Sequence, residues 1–182
     1  MSQEKTPRGY KALKSYNDPK PDPNELELRE PRSKDGAAIH RLIEKCPPLD
    51  TNSMYCNLLQ SSDFSETSVV AEVDGKPYGF ISGYRKPKDP SILFIWQVAV
   101  HEDARGMGLG KKMLSDILNR ETNKDVTKLQ TTITEDNKAS WGLFESFARD
   151  RDADCRDEIH FEHREHFKGA HATEHRLTIG PF

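Results

Sequence analysis

Apolar and polar positions alternate with a period of two in several parts of the chain, as is typical of half-buried β-strands. Residues 67–85 contain two β-rich runs around Asp74-Gly75, a dipeptide that favours a hairpin turn. Further strands are predicted at LELREP (26–31), ILFIWQVAV (92–100), VTKLQTTIT (126–134) and HRLTIGPF (175–182). The chain therefore has enough strands for one central sheet.

Helical periodicity separates these strands. After Ser33, one predicted helical face carries Ala38, Ile39, Leu42, Ile43 and Cys46. Other helices are predicted over residues 53–60, capped by Asp50, Thr51 or Asn52, and over residues 108–120 and 136–150. The charged run RDADCRDE (151–158) is predicted to be a solvated connection. Helices alternating with strands predict an α/β (α+β) fold with a mixed central sheet flanked by helices.

Composition limits the classes of function. The 182 residues suit one domain, and a net charge of −3, from 27 basic and 30 acidic side chains, argues against a nucleic-acid-binding protein. Residues 1–24 are polar and rich in proline, so we predict a disordered tail before a folded domain over residues 25–182. The sequence contains neither a signal-peptide pattern nor an apolar run of about 18 residues, which predicts a cytoplasmic protein without a membrane span.

A glycine-rich turn follows the strand at 92–100. Arg105, Gly106, Gly108 and Gly110 lie within six residues and open a predicted helix. The spacing matches neither a P-loop nor a dinucleotide fingerprint, because Lys111 stands where the latter requires its third glycine. Glycines allow close backbone approach, and the helix N-terminus attracts anions, so this turn suits a pyrophosphate. The alternative is a glycine-rich turn with a solvated basic edge.

Four segments together point to a known family: FIWQVAVHEDARGMGLG, TTITEDNKAS, LDTNSMYC and the terminal IGPF. The first two resemble the GNAT acetyltransferase superfamily, and all four resemble its L-2,4-diaminobutyrate acetyltransferases of ectoine synthesis. The resemblance extends from about Leu26 to Phe182. It implies the GNAT fold, acetyl-CoA as co-substrate, acetylation of the γ-amine of L-2,4-diaminobutyrate, and a homodimer.

The resemblance also implies roles for individual residues. The backbone N–H of Val98 is expected to stabilise the oxyanion, and Val98 and Val100 are expected to pair with the pantetheine arm. The remaining residues expected to bind acetyl-CoA are Arg105, Gly106, Gly108, Gly110, Lys111, Asn137 and Ser140. Asn137 suits a helix cap as well. Phe144 stands where many GNAT enzymes have the tyrosine that protonates the departing thiolate, which leaves Tyr55, another acid or water for that step.

The substrate carries two amines and one carboxylate, so its site requires acidic partners. Asp50 is the first candidate, with a helix cap as the alternative. Trp96 and Tyr55 are candidates for the pocket wall, where a tryptophan face can hold an ammonium; a buried core position is the alternative for each. An alkyl amine has a pKa of about 10.4, so the reaction requires a base. Glu174 is the candidate base and substrate ligand, His171 could relay the proton, and Asp50 is the alternative base.

Several histidines near the C-terminus raise the question of a metal. The segment lacks the HExxH pattern, and no cysteine pair supports a structural zinc site, so we expect no metal. Two other functions stay open at this stage. One is a module that binds acyl-CoA without turnover, which the missing tyrosine at Phe144 favours. The other is acetylation of a different small amine or of a protein lysine.

Overall fold

The computed structural model describes residues 20–182, and this part of the chain forms one seven-stranded sheet with four α-helices. The helices are α1 (Gly36–Glu44), α2 (Met54–Gln60), α3 (Leu109–Leu118) and α4 (Lys138–Asp150). The strands are β1 (Glu27–Arg29), β2 (Val69–Val73), β3 (Lys76–Lys86), β4 (Asp89–Val100), β5 (Lys128–Thr134), β6 (Cys155–Phe161) and β7 (Glu174–Ile179). The predicted mixed sheet flanked by helices is confirmed.

The strands are ordered β1-β2-β3-β4-β5-β7-β6. Only β4 and β5 pair in parallel, and α3 forms the crossover between them, as a parallel pair requires. One core cluster packs α3 and α4 on one face of the sheet, with Met113, Phe144 and Phe147 among its buried members. A smaller cluster packs α1 on the other face through Ile39 and Ile43. The sheet thus separates two layers of helices.

The hairpin turn predicted at Asp74-Gly75 is confirmed between β2 and β3. Asp74 and Gly75 both have positive φ, at 50° and 75°, as a two-residue type I′ turn requires. The other predicted strands and helices are also present, with their ends shifted by a few residues.

A β-bulge at Trp96 changes which way the second half of β4 faces. Ser82 of β3 pairs with Gln97, while Gly83 pairs with Ile95, so Trp96 is the extra residue. Before the bulge, Ile95 belongs to the core beneath α3 and α4. After it, Val98 packs on that same core, although an unbroken alternation would have turned it to the other face. The residues on either side of Val98 therefore face α1.

β4 and β5 separate towards their C-terminal ends. Their pairing ends at Ile95 and Thr131, although β4 continues to Val100 and β5 to Thr134. The two strands consequently diverge, and an opening forms between them at the middle of the sheet.

Two local predictions are wrong. The charged run at 151–158 contributes most of β6, an edge strand, because its acidic side chains pair across to β7: Glu158 with Arg176, and Asp157 with His175 at 3.3 Å. Ser53, and none of the three residues before it, caps α2 by accepting a hydrogen bond from the Cys56 N–H at 3.1 Å. Asp50 is thereby excluded as that cap.

The predicted tail boundary at residue 24 stays a prediction. Residues 1–19 lie outside the described part of the chain. Within it, Pro21 is buried and Asp22 accepts hydrogen bonds from Asn24.

Candidate active site

A polar cavity of about 450 Å³ occupies the opening between β4 and β5. Its walls come from both diverging strands, the α1–α2 segment, the start of α4 and the start of β7. The lining residues are Pro48, Leu49, Asp50, Asn52, Ile95, Trp96, Gln97, Val98, Thr131, Thr132, Ile133, Thr134, Asp136, Asn137, Ser140, Phe144, His171, Ala172 and Glu174. Residues far apart in sequence thus meet where the sheet opens.

Carboxylates dominate the charge of the polar cavity. Asp50, Asp136 and Glu174 line it, whereas none of the lining residues described is a lysine or arginine. Such a cavity attracts cations, because each carboxylate lowers the energy of a positive charge nearby. A substrate with two ammonium groups fits this charge pattern.

Glu174 is the most shielded of these carboxylates, with a side chain 17% exposed. Burial raises its pKa above the ordinary glutamate value, because removal of water penalises the charged form, and the negative charge of Asp50 acts in the same direction. A hydrogen bond from the Thr132 side chain and the proximity of His171 oppose this shift. Asp136 differs, because a hydrogen bond from the Thr134 hydroxyl at 2.7 Å lowers its pKa. Glu174 therefore has the properties of a proton acceptor.

Trp96 and Tyr55 have different surroundings. The Trp96 side chain is 49% exposed and lines the polar cavity, with its ring edge-to-face with Tyr84, so a buried core position is excluded. Tyr55 lies on α2, is 69% exposed and lines neither of the cavities described here. Its expected contact with the substrate stays a prediction, since the side chain points to solvent and away from both cavities.

Gln97 is a cavity residue that the sequence did not reveal. Its side chain is 7% exposed, and its Nε2 donates a hydrogen bond to the backbone oxygen of Asp50 at 2.6 Å. Simple alternation along β4 would have placed Gln97 on the same face as Ile95. The bulge at Trp96 brings it to the face of the α1–α2 segment, and no sequence pattern marks a bulge there.

A second cavity, the glycine groove, adjoins the polar cavity and has a volume of about 490 Å³. It is lined by Cys46, Pro47, Pro48, Leu49, Val98, Val100, Ala104, Arg105, Gly106, Gly108, Leu109, Gly110, Lys111, Asn137, Ala139, Ser140, Leu143 and Ser146. The cavities share Pro48, Leu49, Val98, Asn137 and Ser140. Val98 consequently stands at the junction of the two.

The glycine turn exposes its backbone to this groove. Gly106 and Gly108 have positive φ values of 79° and 69°, and a Cβ on either would meet no atom within 4 Å. Gly108 is the N-cap of α3, so the unpaired N–H groups of that helix start lie at the groove. Gly110 has a different role, because its Cβ would stand 2.9 Å from Leu143 of α4. It permits close packing of the two helices at the groove wall.

Basic side chains of the groove are engaged with nearby groups. Arg105 Nε donates to the backbone oxygen of Val100 at 3.3 Å, and Lys111 Nζ lies 2.6 Å from Asp150 Oδ2. The Cys46 thiol also donates to the Val100 oxygen, at 3.4 Å. The strand-like pairing expected of Val100 requires this oxygen to accept a hydrogen bond from an N–H of the ligand. The Arg105 and Cys46 side chains must then give up their hydrogen bonds to it.

Asn137 is the cap of α4. Its Oδ1 accepts a hydrogen bond from the Ser140 N–H at 3.1 Å, which leaves its amide nitrogen to a ligand at the junction of the cavities. Phe144, one turn further along α4, is buried and lines the polar cavity. None of the described lining residues of the polar cavity is a tyrosine.

The C-terminal histidines bind their own loop. His163 Nδ1 lies 2.6 Å from the His171 oxygen, and the Glu162 N–H donates to His166. Across residues 20–182, His, Cys, Asp and Glu side chains nowhere form a group of three that could hold a metal ion. Within the same range, no helix is long and apolar enough to cross a membrane.

Comparisons with known proteins agree with this geometry. The model of the acetyltransferase (GNAT) family matches residues 36–148. L-2,4-diaminobutyric acid acetyltransferases are similar over 86% of this chain: that of Methylotuvimicrobium alcaliphilum is 52% identical, with 91% of its length covered, and that of Halomonas elongata is 41% identical, with 82% covered.

A solved structure is also similar. It is the diaminobutyrate acetyltransferase EctA from Paenibacillus lautus in complex with its substrate L-2,4-diaminobutyric acid and coenzyme A. The TM-score is 0.82 at 34% identity, and the match covers 86% of this chain and 95% of that one. The chain described here therefore belongs to the GNAT acetyltransferase family and, within it, to the L-2,4-diaminobutyric acid acetyltransferases.

Proposed function

We propose that the polar cavity and the glycine groove together catalyse one acetyl transfer. The chain moves the acetyl group of acetyl-CoA to the γ-amine of L-2,4-diaminobutyrate, giving N-γ-acetyl-L-2,4-diaminobutyrate and CoA. The family implies a place in the synthesis of the compatible solute ectoine. The observation that carries the proposal is the junction at Val98, where a groove suited to a pyrophosphate meets a cavity rich in carboxylates.

The glycine groove fits acetyl-CoA. Open space at the Cβ positions of Gly106 and Gly108 lets phosphate oxygens approach the backbone, and the start of α3 provides N–H donors. Arg105 and Lys111 add positive charge, although Lys111 must first exchange its ion pair with Asp150. The pantetheine arm then follows Val100 and Val98 along the unpaired side of β4.

The polar cavity binds diaminobutyrate through its ammonium groups. Asp50 and Glu174 provide the opposite charges, and the exposed Trp96 face offers a cation–π contact. Because the cavity lies between β4 and β5, the substrate amine enters beside the backbone of Val98.

Glu174 acts as the base. The γ-amine must lose a proton before its lone pair can attack the thioester carbon, and a shielded carboxylate with a raised pKa is suited to accept it. The C–N bond then forms as the carbonyl oxygen becomes an oxyanion. The backbone N–H of Val98 stabilises that oxyanion.

Collapse of this intermediate breaks the C–S bond and releases the CoA thiolate. A thiol has a pKa near 8.5, so the thiolate is a competent leaving group even without a tyrosine at Phe144. Tyr55 lines neither cavity, which favours water as the eventual proton donor. The nitrogen loses two protons on the way to the amide: Glu174 takes the first, and the second leaves as the intermediate collapses and reaches the thiolate through water. The proton balance closes when Glu174 returns its proton to solvent.

We also propose that residues 25–182 form the catalytic domain and that the enzyme is a cytoplasmic homodimer that binds no nucleic acid. The exposed side chains of Met54 and Tyr55 on α2 suit a contact between subunits. Sedimentation of the purified protein distinguishes a monomer from a dimer.

A CoA-release assay tests the proposed reaction. Diaminobutyrate, ornithine, lysine and a lysine-containing peptide are compared side by side at equal concentration. The proposal expects the highest kcat/KM for diaminobutyrate and negligible release with the peptide. Binding of acetyl-CoA without release for any amine would instead indicate a non-catalytic acyl-CoA-binding protein.

A further inference from the structure

Gln97 occupies an unusual place in the polar cavity. It is the residue directly after the bulge of β4, and its backbone pairs with Ser82 on the inner strand β3. Its side chain is more than nine-tenths buried and turns towards the segment between α1 and α2. A long polar side chain so well shielded from water normally has partners for both ends of its amide.

Only one end of the Gln97 amide is satisfied. Nε2 donates to the Asp50 backbone oxygen at 2.6 Å, whereas Oε1 is shielded from solvent and has no hydrogen-bond partner. The opposite orientation of the amide would bring two oxygens together at Asp50. The Asp50 carbonyl therefore fixes the orientation of the Gln97 amide. In this orientation Oε1 has no partner, which is unfavourable for a buried polar atom.

The bond joins a rigid element to a segment without regular structure. Gln97 belongs to the central strand β4, whereas Asp50 lies in the connection that follows α1 and is itself exposed. Asn52, two residues further on, has a positive φ of 55° and makes only a long contact, 3.4 Å, with the same carbonyl. A short bond from the sheet is thus the main hydrogen bond at the Asp50 backbone.

We propose that Gln97 is a positioning residue that holds Asp50 at the polar cavity, opposite Glu174, so that the two carboxylates receive the two amines of the substrate. This inference rests on the proposed function, in which Asp50 binds an ammonium group. The same segment carries Pro48 and Leu49, which line both cavities, but the Gln97 bond is made to Asp50 alone. Its loss should accordingly affect the amine more than acetyl-CoA.

Gln97→Met is the primary test, because methionine has a similar length and cannot donate. The KM for diaminobutyrate should rise about tenfold or more, as expected when a binding group loses its fixed position. The KM for acetyl-CoA should stay within twofold, and the melting temperature should be close to the parent's, because the unpaired Oε1 is removed together with its bond. If methionine overfills the site and the protein fails to fold, Gln97→Leu provides the same test.

Gln130→Met is the matched control. Gln130 is another buried glutamine, on β5, and it bonds Thr178 and Lys86 but lines neither cavity. Both KM values should stay near the parent's. An equal rise in the diaminobutyrate KM of both variants would attribute the effect to general loosening of the sheet and would overturn the inference.

A double-mutant cycle with Asp50→Asn shows whether Gln97 acts through Asp50. If it does, adding Gln97→Met to Asp50→Asn should change the diaminobutyrate KM by less than about twofold. The same rise in both backgrounds, or an unchanged KM in Gln97→Met alone, would refute the inference while the acetyl transfer itself stands. If Asp50→Asn keeps the parent's KM for diaminobutyrate, Asp50 does not bind the substrate, and this inference is refuted as well. A parent enzyme that does not acetylate diaminobutyrate would instead refute the proposed function.

Discussion

His171 Nδ1 lies 3.8 Å from Glu174 Oε1, beyond hydrogen-bond distance, and 2.9 Å from the backbone oxygen of Ala172. In a neutral ring, the proton on Nδ1 is therefore donated to Ala172, and this nitrogen has no lone pair for a proton from Glu174. The predicted proton relay by His171 is therefore not supported at Nδ1. The imidazole instead acts on Glu174 through its charge when it is protonated, which favours the carboxylate.

Glu174→Gln should lose at least about 100-fold in kcat, the lower end of what a general base contributes. Glutamine has nearly the same shape, so acetyl-CoA affinity should match the parent's. His171→Ala should lose much less, because it does not accept the proton. Stopped-time assays of CoA release measure kcat, and calorimetry measures affinity. Near-parental turnover of Glu174→Gln at neutral pH would move the search for the base to Asp50.

The pH dependence of kcat/KM should carry the signature of Glu174. The ionised form is the base, and burial raises its pKa, so activity should fall as the pH drops through a value above the ordinary glutamate range. Weakening the Thr132 hydrogen bond by Thr132→Val should move this acid limb to still higher pH, because that bond favours the charged form. An acid limb at the pKa of an ordinary solvent-exposed glutamate would contradict the assignment.

Glu174 should also destabilise the folded enzyme at neutral pH. Its pKa is higher in the folded state than in the unfolded state, so stability declines as the pH rises through that interval, and the penalty is complete above the folded-state pKa. Glu174→Gln removes the penalty and should melt at the same temperature as the parent or higher. At a pH below the unfolded-state value, the two proteins should differ less. A clearly lower melting temperature at pH 7 would show that the partners of the carboxylate outweigh the effect of its burial.

Gly108→Val should weaken acetyl-CoA binding by at least about tenfold, a loss of roughly 1.4 kcal/mol. The backbone φ of 69° disfavours any β-branched residue, and the new side chain would stand in the groove. Calorimetry with acetyl-CoA provides the measurement.

The same substitution at Gly142 is the control for Gly108→Val. Gly142 lies within α4, its Cβ would meet open space, and it lines neither cavity. Gly142→Val should leave the affinity unchanged. Equal affinities for both variants would show that the pyrophosphate binds elsewhere.

The sequence predicted those parts of the site that depend only on a local sequence pattern. Gly106 and Gly108 have the positive φ values that a glycine-rich turn before a helix implies. Gln97 escaped prediction because its direction depends on the register between β3 and β4, which is a tertiary property. The predicted substrate contact of Tyr55 stays a prediction, because it depends on how α2 packs, which is also a tertiary property.

The fold was predicted where apolar alternation is strong, as in β3 and β4. β6 was missed because an edge strand can satisfy its side chains with ion pairs in solvent, which removes the apolar signal. The cap of α2 was misplaced by one to three residues, because several neighbouring side chains can each accept the same hydrogen bond.

The single extra residue at Trp96 determines on which face of the sheet each later side chain of β4 lies. With it, consecutive residues after the bulge serve the two reactants in turn: Gln97 faces the α1–α2 segment and the amine, whereas Val98 faces the α3–α4 core and lines the groove. If β4 kept all its residues but alternated regularly through Trp96, without the bulge, the two faces would be exchanged from Gln97 onwards. Binding of the amine and binding of the thioester would then fail together, so one strand position couples the recognition of both reactants.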